Sequence, residues 1–209
     1  CSSDLIALQA AARAAPDGYT LITVPGPILS KTNPPEIGRE LVGIAMLAQG
    51  PMVLVGGAAN APSTVAELIA AMRKDPGAWS YGSSGNGTSQ HLAGELFNTM
   101  SGTAMRHIPY KGGGQAVTDV VGGQVPLAIL GATPVLPHIK SGKLKAYAVT
   151  TGYRIDSLPD VPTIRDSGVA KLELESWFGL FAPAKTPPKV LERLRIPVEW
   201  LRRVDAIAK

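Results

Sequence analysis

The chain has 209 residues, 45% hydrophobic and 17% charged, with 20 Lys and Arg against 16 Asp and Glu and a formal net charge of +4. That composition supports a sizeable core, and the length suits one large or two small domains. Scattered basic residues and 5% aromatics argue against a nucleic-acid partner; the one cysteine, Cys1, excludes an internal disulfide and a multi-cysteine metal cluster.

No apolar run approaches the roughly 20 residues of a membrane-spanning helix. No basic, apolar leader opens the chain, so an export signal is expected to have been removed or never to have existed. Cys1 followed by Ser2 and Ser3 also matches the acylated first residue of a lipoprotein, the alternative being a chain that simply starts there. Short strands are predicted at Tyr19 to Val24 and Met52 to Gly56 from their β-branched, apolar character. A helix follows, with Val65, Leu68, Ile69 and Met72 on one face behind the capping-box pattern Thr64-x-x-Glu67. The next strand is Trp79 to Ser83. A second helix carries Leu92, Leu96, Phe97 and Met100 as core residues and stops at Gly102. Beyond the strand Met105 to Tyr110, a third helix carries Ala116, Val117, Val120 and Val121, with Gly122-Gly123 offering a left-handed cap. Strands at Val125 to Leu130, Leu144 to Thr151 and Leu174 to Ala182 complete the series. Such alternation predicts an α/β fold with largely parallel sheets.

The loop from Tyr81 to His91, YGSSGNGTSQH, falls between a strand and a helix starting near Thr88, the junction at which open α/β sheets bind ligands. Glycines let backbone N–H groups turn inward, and a helix start adds unpaired donors, so an oxyanion is stabilised there without a lysine. A P-loop would need lysine where Thr88 stands, and a dinucleotide fingerprint would need a third glycine where Gln90 stands. The nucleophile-elbow pattern also fails, because the register is Gly82-Ser83-Ser84-Gly85-Asn86. His91 is a candidate base but reads as a cap or packing residue, and His107 and His138 stand apart from it. No paired carboxylates and no metal-ligand cluster accompany the loop. No cofactor or metal is expected.

Several long stretches in a fixed order carry a family resemblance: AAPDGYTLI, YGSSGNGTSQHLAGELF, HIPYKGGGQAVTDVVGGQVPLAIL, LPHIKSGKLKAYAVTT, LPDVPTI and SWFGLFAPAKTPP. Together they resemble the Bug-type periplasmic substrate-binding proteins of tripartite tricarboxylate transporters, from about residue 10 to residue 194. The resemblance implies a two-lobed periplasmic-binding-protein fold of the type II kind, with two hinge-crossing strands and a ligand cleft between the lobes. Its lobes would be residues 1–56 plus 178–209, and 57–177. It further implies a monomeric, periplasmic, non-catalytic receptor that hands a small carboxylate to membrane permease subunits. Against the family pattern the first strand and part of the C-terminal region are absent from the 209 residues, so the first lobe is expected to lack segments.

Site residues follow from the same resemblance. Ser83, Ser84, Gly85, Asn86, Gly87 and Thr88 match the carboxylate loop of the second lobe. Ser2, Ser3 and Asp4 match the loop of the first lobe, although Cys1 stands where that pattern has glycine. Pro25 and Gly26 would line the cleft, Tyr110 and Lys111 would reach it from the second lobe, and Trp177 would be a hinge or ligand wall. Leu130-Gly131 replaces a polar pair that family members often carry. Backbone donors do not titrate, so recognition is expected to change little between about pH 6 and 8. The alternative reading is an enzyme acting on a small anionic substrate through Ser84 and His91.

Overall fold

The computed structural model describes residues 3–25, 39–58, 62–169 and 172–195. The chain divides into two compact units, Cys1–Gln49 with Trp177–Lys209, and Gly50–Ser176. Among the described residues no helix is long and apolar enough to cross a membrane.

The first unit holds helix α1 (Ser3–Ala12), strands β1 (Ile22–Pro25), β2 (Leu41–Gly50) and β8 (Ser176–Pro183), and a helix at 188–195. Its strands form one sheet in the order β1-β8-β2, with β1 antiparallel to β8. Leu8 and Ala11 of α1 pack with Val24 and Leu41, while Ile44, Ala182 and Leu191 form a second small core. Ser3 and Asp4 therefore open a helix rather than forming a loop.

The second unit is a five-stranded sheet in the order β5-β4-β6-β3-β7, built from β3 (Met52–Gly57), β4 (Ser80–Ser83), β5 (Arg106–Pro109), β6 (Leu127–Gly131) and β7 (Leu144–Val149). Helices α2 (Val65–Lys74), α3 (Ser89–Ser101), α4 (Gly113–Val121) and α5 (Ala132–Lys140) connect them. The expectation of largely parallel sheets needs correction: β4 is parallel to β5 and β6, but β3 is antiparallel to both β6 and β7. Because Met52–Gly57 lies between two strands of this sheet, the crossing expected near Gly56 falls at Gly50, and Trp177 lies in the first unit.

Both faces of the sheet are covered, as strands with near-continuous apolar sequence require. Successive residues point to opposite faces, so Met52 and Leu54 of β3 join Leu68 and Met72 of α2 and Phe97 of α3 on one side. Val53 and Val55 join Val117 and Val120 of α4 and Val135 of α5 on the other. In α2 the N-cap Thr64 hydroxyl accepts from the Glu67 N–H, and the Glu67 carboxylate accepts from the Ser63 N–H at 2.6 Å. After α4 the left-handed residue is Gly123, at φ +72°, one place beyond the C-cap Gly122. The Gln124 and Gly123 N–H groups then close back on the carbonyls of Asp119 and Val120, the Schellman arrangement.

Helix α3 meets the sheet through the expected Phe97, with Leu96 packed against the same core, but its face is turned toward Ala93 and away from Leu92 and Met100. Ala93 and Phe97 are fully buried, whereas Leu92 and Met100, expected in the core, are each 43% exposed. Gly94 is what allows the approach, since a Cβ there would overlap the buried Tyr81 ring. Tyr81 is also tethered through its hydroxyl, 2.8 Å from Glu95 Oε1, so the ring has no free direction in which to move. Gly94→Ala is therefore expected to lower unfolding free energy by about 1–3 kcal/mol, the cost of overpacking. Chemical denaturation checks this, and an unchanged midpoint would contradict the packing described.

Candidate functional site

Strand β4 delivers its last residue, Ser83, into the interior, and α3 begins six residues later at Ser89. The chain between them turns at Gly85, with φ +136°, and at Gly87, with φ +76°. Both values lie where a side chain is rarely tolerated, which is why glycine stands at each.

Hydrogen bonds inside the loop divide its donors into two sets. The Gly85 N–H donates to Ser83 Oγ at 3.1 Å, and the Gly87 N–H donates to His91 Nδ1 at 3.2 Å. Thr88 is the N-cap: its hydroxyl accepts from the His91 N–H at 3.3 Å and donates to the Gly85 carbonyl at 2.8 Å. The Ser84 hydroxyl donates to Gln90 Oε1. Among the described residues the N–H groups of Asn86, Thr88, Ser89 and Gln90 have no acceptor. At a helix start these are the donors that carry the partial positive charge of the helix. Ser89 Oγ is buried there with no hydrogen-bond partner among the described residues.

Beneath the loop lies an aromatic and imidazole cluster. His107 of β5 stands in register with Tyr81 of β4, and its Nε2 lies 2.7 Å from Ser83 Oγ. Its ring stacks on His91 of α3, with centroids 4.0 Å apart and planes 12° apart, and Tyr81 lies against it at 5.0 Å. Burial, followed by the neighbouring His91, lowers the His107 pKa to about 4, with Glu95 opposing the shift. Burial and then Glu95 push the Tyr81 phenol up. The two histidines that stand apart in sequence are thus neighbours in space.

The predicted site residues are distributed as follows. Ser83 to Thr88 and Tyr110 come together in the second unit, where the Tyr110 N–H donates to the Ser83 carbonyl at 3.0 Å. Ser83 and Thr88 are buried, Ser84 and Gly85 half-buried, and Asn86 and Gly87 exposed. The Tyr110 hydroxyl donates to Asp119 at 2.7 Å, and burial together with that contact raises its pKa to about 12. Lys111 is exposed. Pro25 ends β1 and the half-buried Trp177 lies in β8, both in the first unit. Ser2 and Gly26 lie outside the described residues. His107, Ser89 and Gln90 are the loop's neighbours that the sequence reading did not select. Among the described residues no group of three His, Cys, Asp or Glu is placed to hold a metal ion.

The open donors thus lie at a strand-to-helix junction, where open α/β sheets hold their ligands. The family model for the tripartite tricarboxylate transporter family receptor matches residues 1–209, and the chain belongs to that family. Solved structures agree. The periplasmic binding protein BugD is 32% identical, with a TM-score of 0.83 over 93% of this chain and 67% of that one. Rpa4515 of R. palustris, solved with adipate, is 32% identical, with a TM-score of 0.85 over 92% and 67%. MatC of Rhodopseudomonas palustris, with bound malate, is 27% identical, with a TM-score of 0.84 over 93% and 68%. The chain spans 54% and 62% of the lengths of two curated relatives to which it is 36% and 35% identical.

The half-buried imidazole of His107 has a consequence for stability. A histidine whose folded pKa is depressed to about 4 is neutral in the native state while its unfolded counterpart takes up a proton below about pH 6.5. The unfolded state then binds more protons, so stability falls as the pH drops from about 6.5 toward 4. His107→Gln should flatten the decline in urea midpoint over that window; an equal decline in wild type and variant would contradict the assignment.

Proposed function

We propose that the chain is an extracytoplasmic solute receptor that holds a small carboxylate and passes it, unchanged, to the permease subunits of a tripartite-type transporter. The observation that carries this reading is the loop at Ser84–Gln90, whose uncommitted N–H groups at a glycine-shaped helix start offer an anion site without a fixed cation or a metal. Family membership supports the receptor role. Adipate and malate in structural relatives support the ligand class, which extends to di- and tricarboxylates, acidic amino acids and aromatic acids. A periplasmic location and a monomeric state belong to the same reading.

The enzyme alternative lacks a competent pair. The Ser84 hydroxyl is turned to Gln90, and His91 Nδ1 is occupied by the Gly87 N–H, so neither addresses the other. Ser83, which does meet an imidazole, is fully buried. Without an accessible nucleophile and base the chemistry has no starting point.

Titration calorimetry with malate, adipate, citrate, glutamate and benzoate is expected to find at least one ligand, recovered unchanged when the mixture is assayed by NMR. Turnover, or no binding by any of the five, would count against the receptor. Gly87→Val isolates the backbone contribution, because nothing lies within 4 Å of the added Cβ and only the φ of +76° opposes it. The loop must relax to relieve a strain of roughly 1–2 kcal/mol, which displaces the Asn86 and Thr88 N–H groups and weakens binding about ten-fold. Full affinity in this variant would show that the loop backbone is not the anion site.

A further inference from the structure

We propose that the stacked imidazoles of His91 and His107 are the positioning residues of the anion loop, and that protonation of His91 releases it. The part that concerns ligand affinity rests on the carboxylate-receptor reading above. Each ring secures one of the two glycines that shape the loop. His91 Nδ1 accepts directly from the Gly87 N–H, and His107 Nε2 holds Ser83 Oγ, which in turn accepts from the Gly85 N–H. The rings come from different elements, α3 and β5, and lie face to face at 4.0 Å, so the position of one restrains the other.

The Gly87 contact works in a single protonation state. A nitrogen can accept that N–H only while it carries no proton. Protonation of Nδ1 sets a donor against a donor at 3.2 Å, and the contact becomes repulsive. Histidine is the side chain whose ordinary charge change falls between about pH 5 and 8. The groups facing His91 are few. Glu95, one turn along α3, lies 4.0 Å from its Nε2. His107, from β5, is held neutral by burial. Tyr81, from β4, has its hydroxyl 3.1 Å from the His91 carbonyl and 2.8 Å from Glu95. Of these Glu95 is the one carboxylate. Recognition by N–H groups that do not titrate thereby becomes sensitive to acid, contrary to the pH tolerance expected from the sequence.

The test follows the Gly85 and Gly87 amide resonances of ¹⁵N-labelled, ligand-free protein from pH 8 to 5, in wild type, His91→Asn and His91→Leu. Asparagine places a non-titrating oxygen near the position of Nδ1. The wild-type Gly87 resonance is expected to titrate and to lose protection from exchange, relative to the intrinsic rate, in acid. In His91→Asn it should stay protected throughout, and in His91→Leu it should be unprotected throughout. A second arm measures malate and adipate affinity at pH 7.5 and 5.5. Wild type should lose about three- to ten-fold more affinity on acidification than His91→Asn, the size of one net hydrogen bond; ligand protonation affects both proteins alike. A Gly87 resonance that does not titrate, or that titrates equally in His91→Asn, overturns the proposal. Affinity that rises in acid only in wild type also overturns it. Should neither carboxylate bind, the amide titration still decides the histidine role, and it is the receptor reading that fails.

Discussion

The fate of the backbone N–H groups between Ser83 and Gln90 is the constraint on which the site depends. A short passage from strand to helix cannot satisfy all of them internally, because the first turn of any helix lacks intrahelical acceptors. Here the protein spends Ser83 Oγ and His91 Nδ1 on Gly85 and Gly87, the two residues with left-handed φ. The Asn86, Thr88, Ser89 and Gln90 N–H groups are left to whatever arrives. In the proposed reading, fixing the bends internally while leaving the helix start open yields a preformed anion site, and preorganisation spares the ligand the free energy of ordering the loop.

That loop is only as fixed as the elements at its two ends. Tyr81 is buried in β4, its ring meets α3 at Gly94, and its hydroxyl is held by Glu95. The same ring lies against His107, which stacks on His91 and holds Ser83. Core packing, the helix cap at Thr88 and the loop hydrogen bonds therefore form one connected set, in which a change at Gly94 or His107 reaches the donors without touching them.

Much of the second unit was legible in the sequence because its signals are local. β-branched and apolar runs marked its five strands, as they did β1 and β8 of the first unit, Thr64-x-x-Glu67 marked the start of α2, and Gly102 and Gly122-Gly123 marked the ends of α3 and α4. Helix α5 was hidden by Pro134 and Pro137, the second of which stands inside the helix and gives up a backbone donor. Strand β2 was hidden by glycine, alanine and a burial pattern without strict alternation. The antiparallel placing of β3 could not be read, since apolar runs buried on both faces look alike in either direction. Leu92 and Met100 share a helical face with Leu96, but the close contact at Gly94 turns α3 so that Ala93 joins the expected Phe97 in the core while Leu92 and Met100 face outward. The Tyr81–His107 register depends on which strands pair, so the meeting of His91 with His107 had no sequence signal.

The central claim is that backbone N–H groups at the start of α3 receive the carboxylate, and amide NMR with a bound ligand tests it most directly. On saturation with whichever carboxylate binds, the amide resonances of Asn86, Thr88, Ser89 and Gln90 should show the largest downfield proton shifts in the second unit, as new charge-assisted hydrogen bonds produce. Saturable binding that leaves those four amides unmoved would contradict the account.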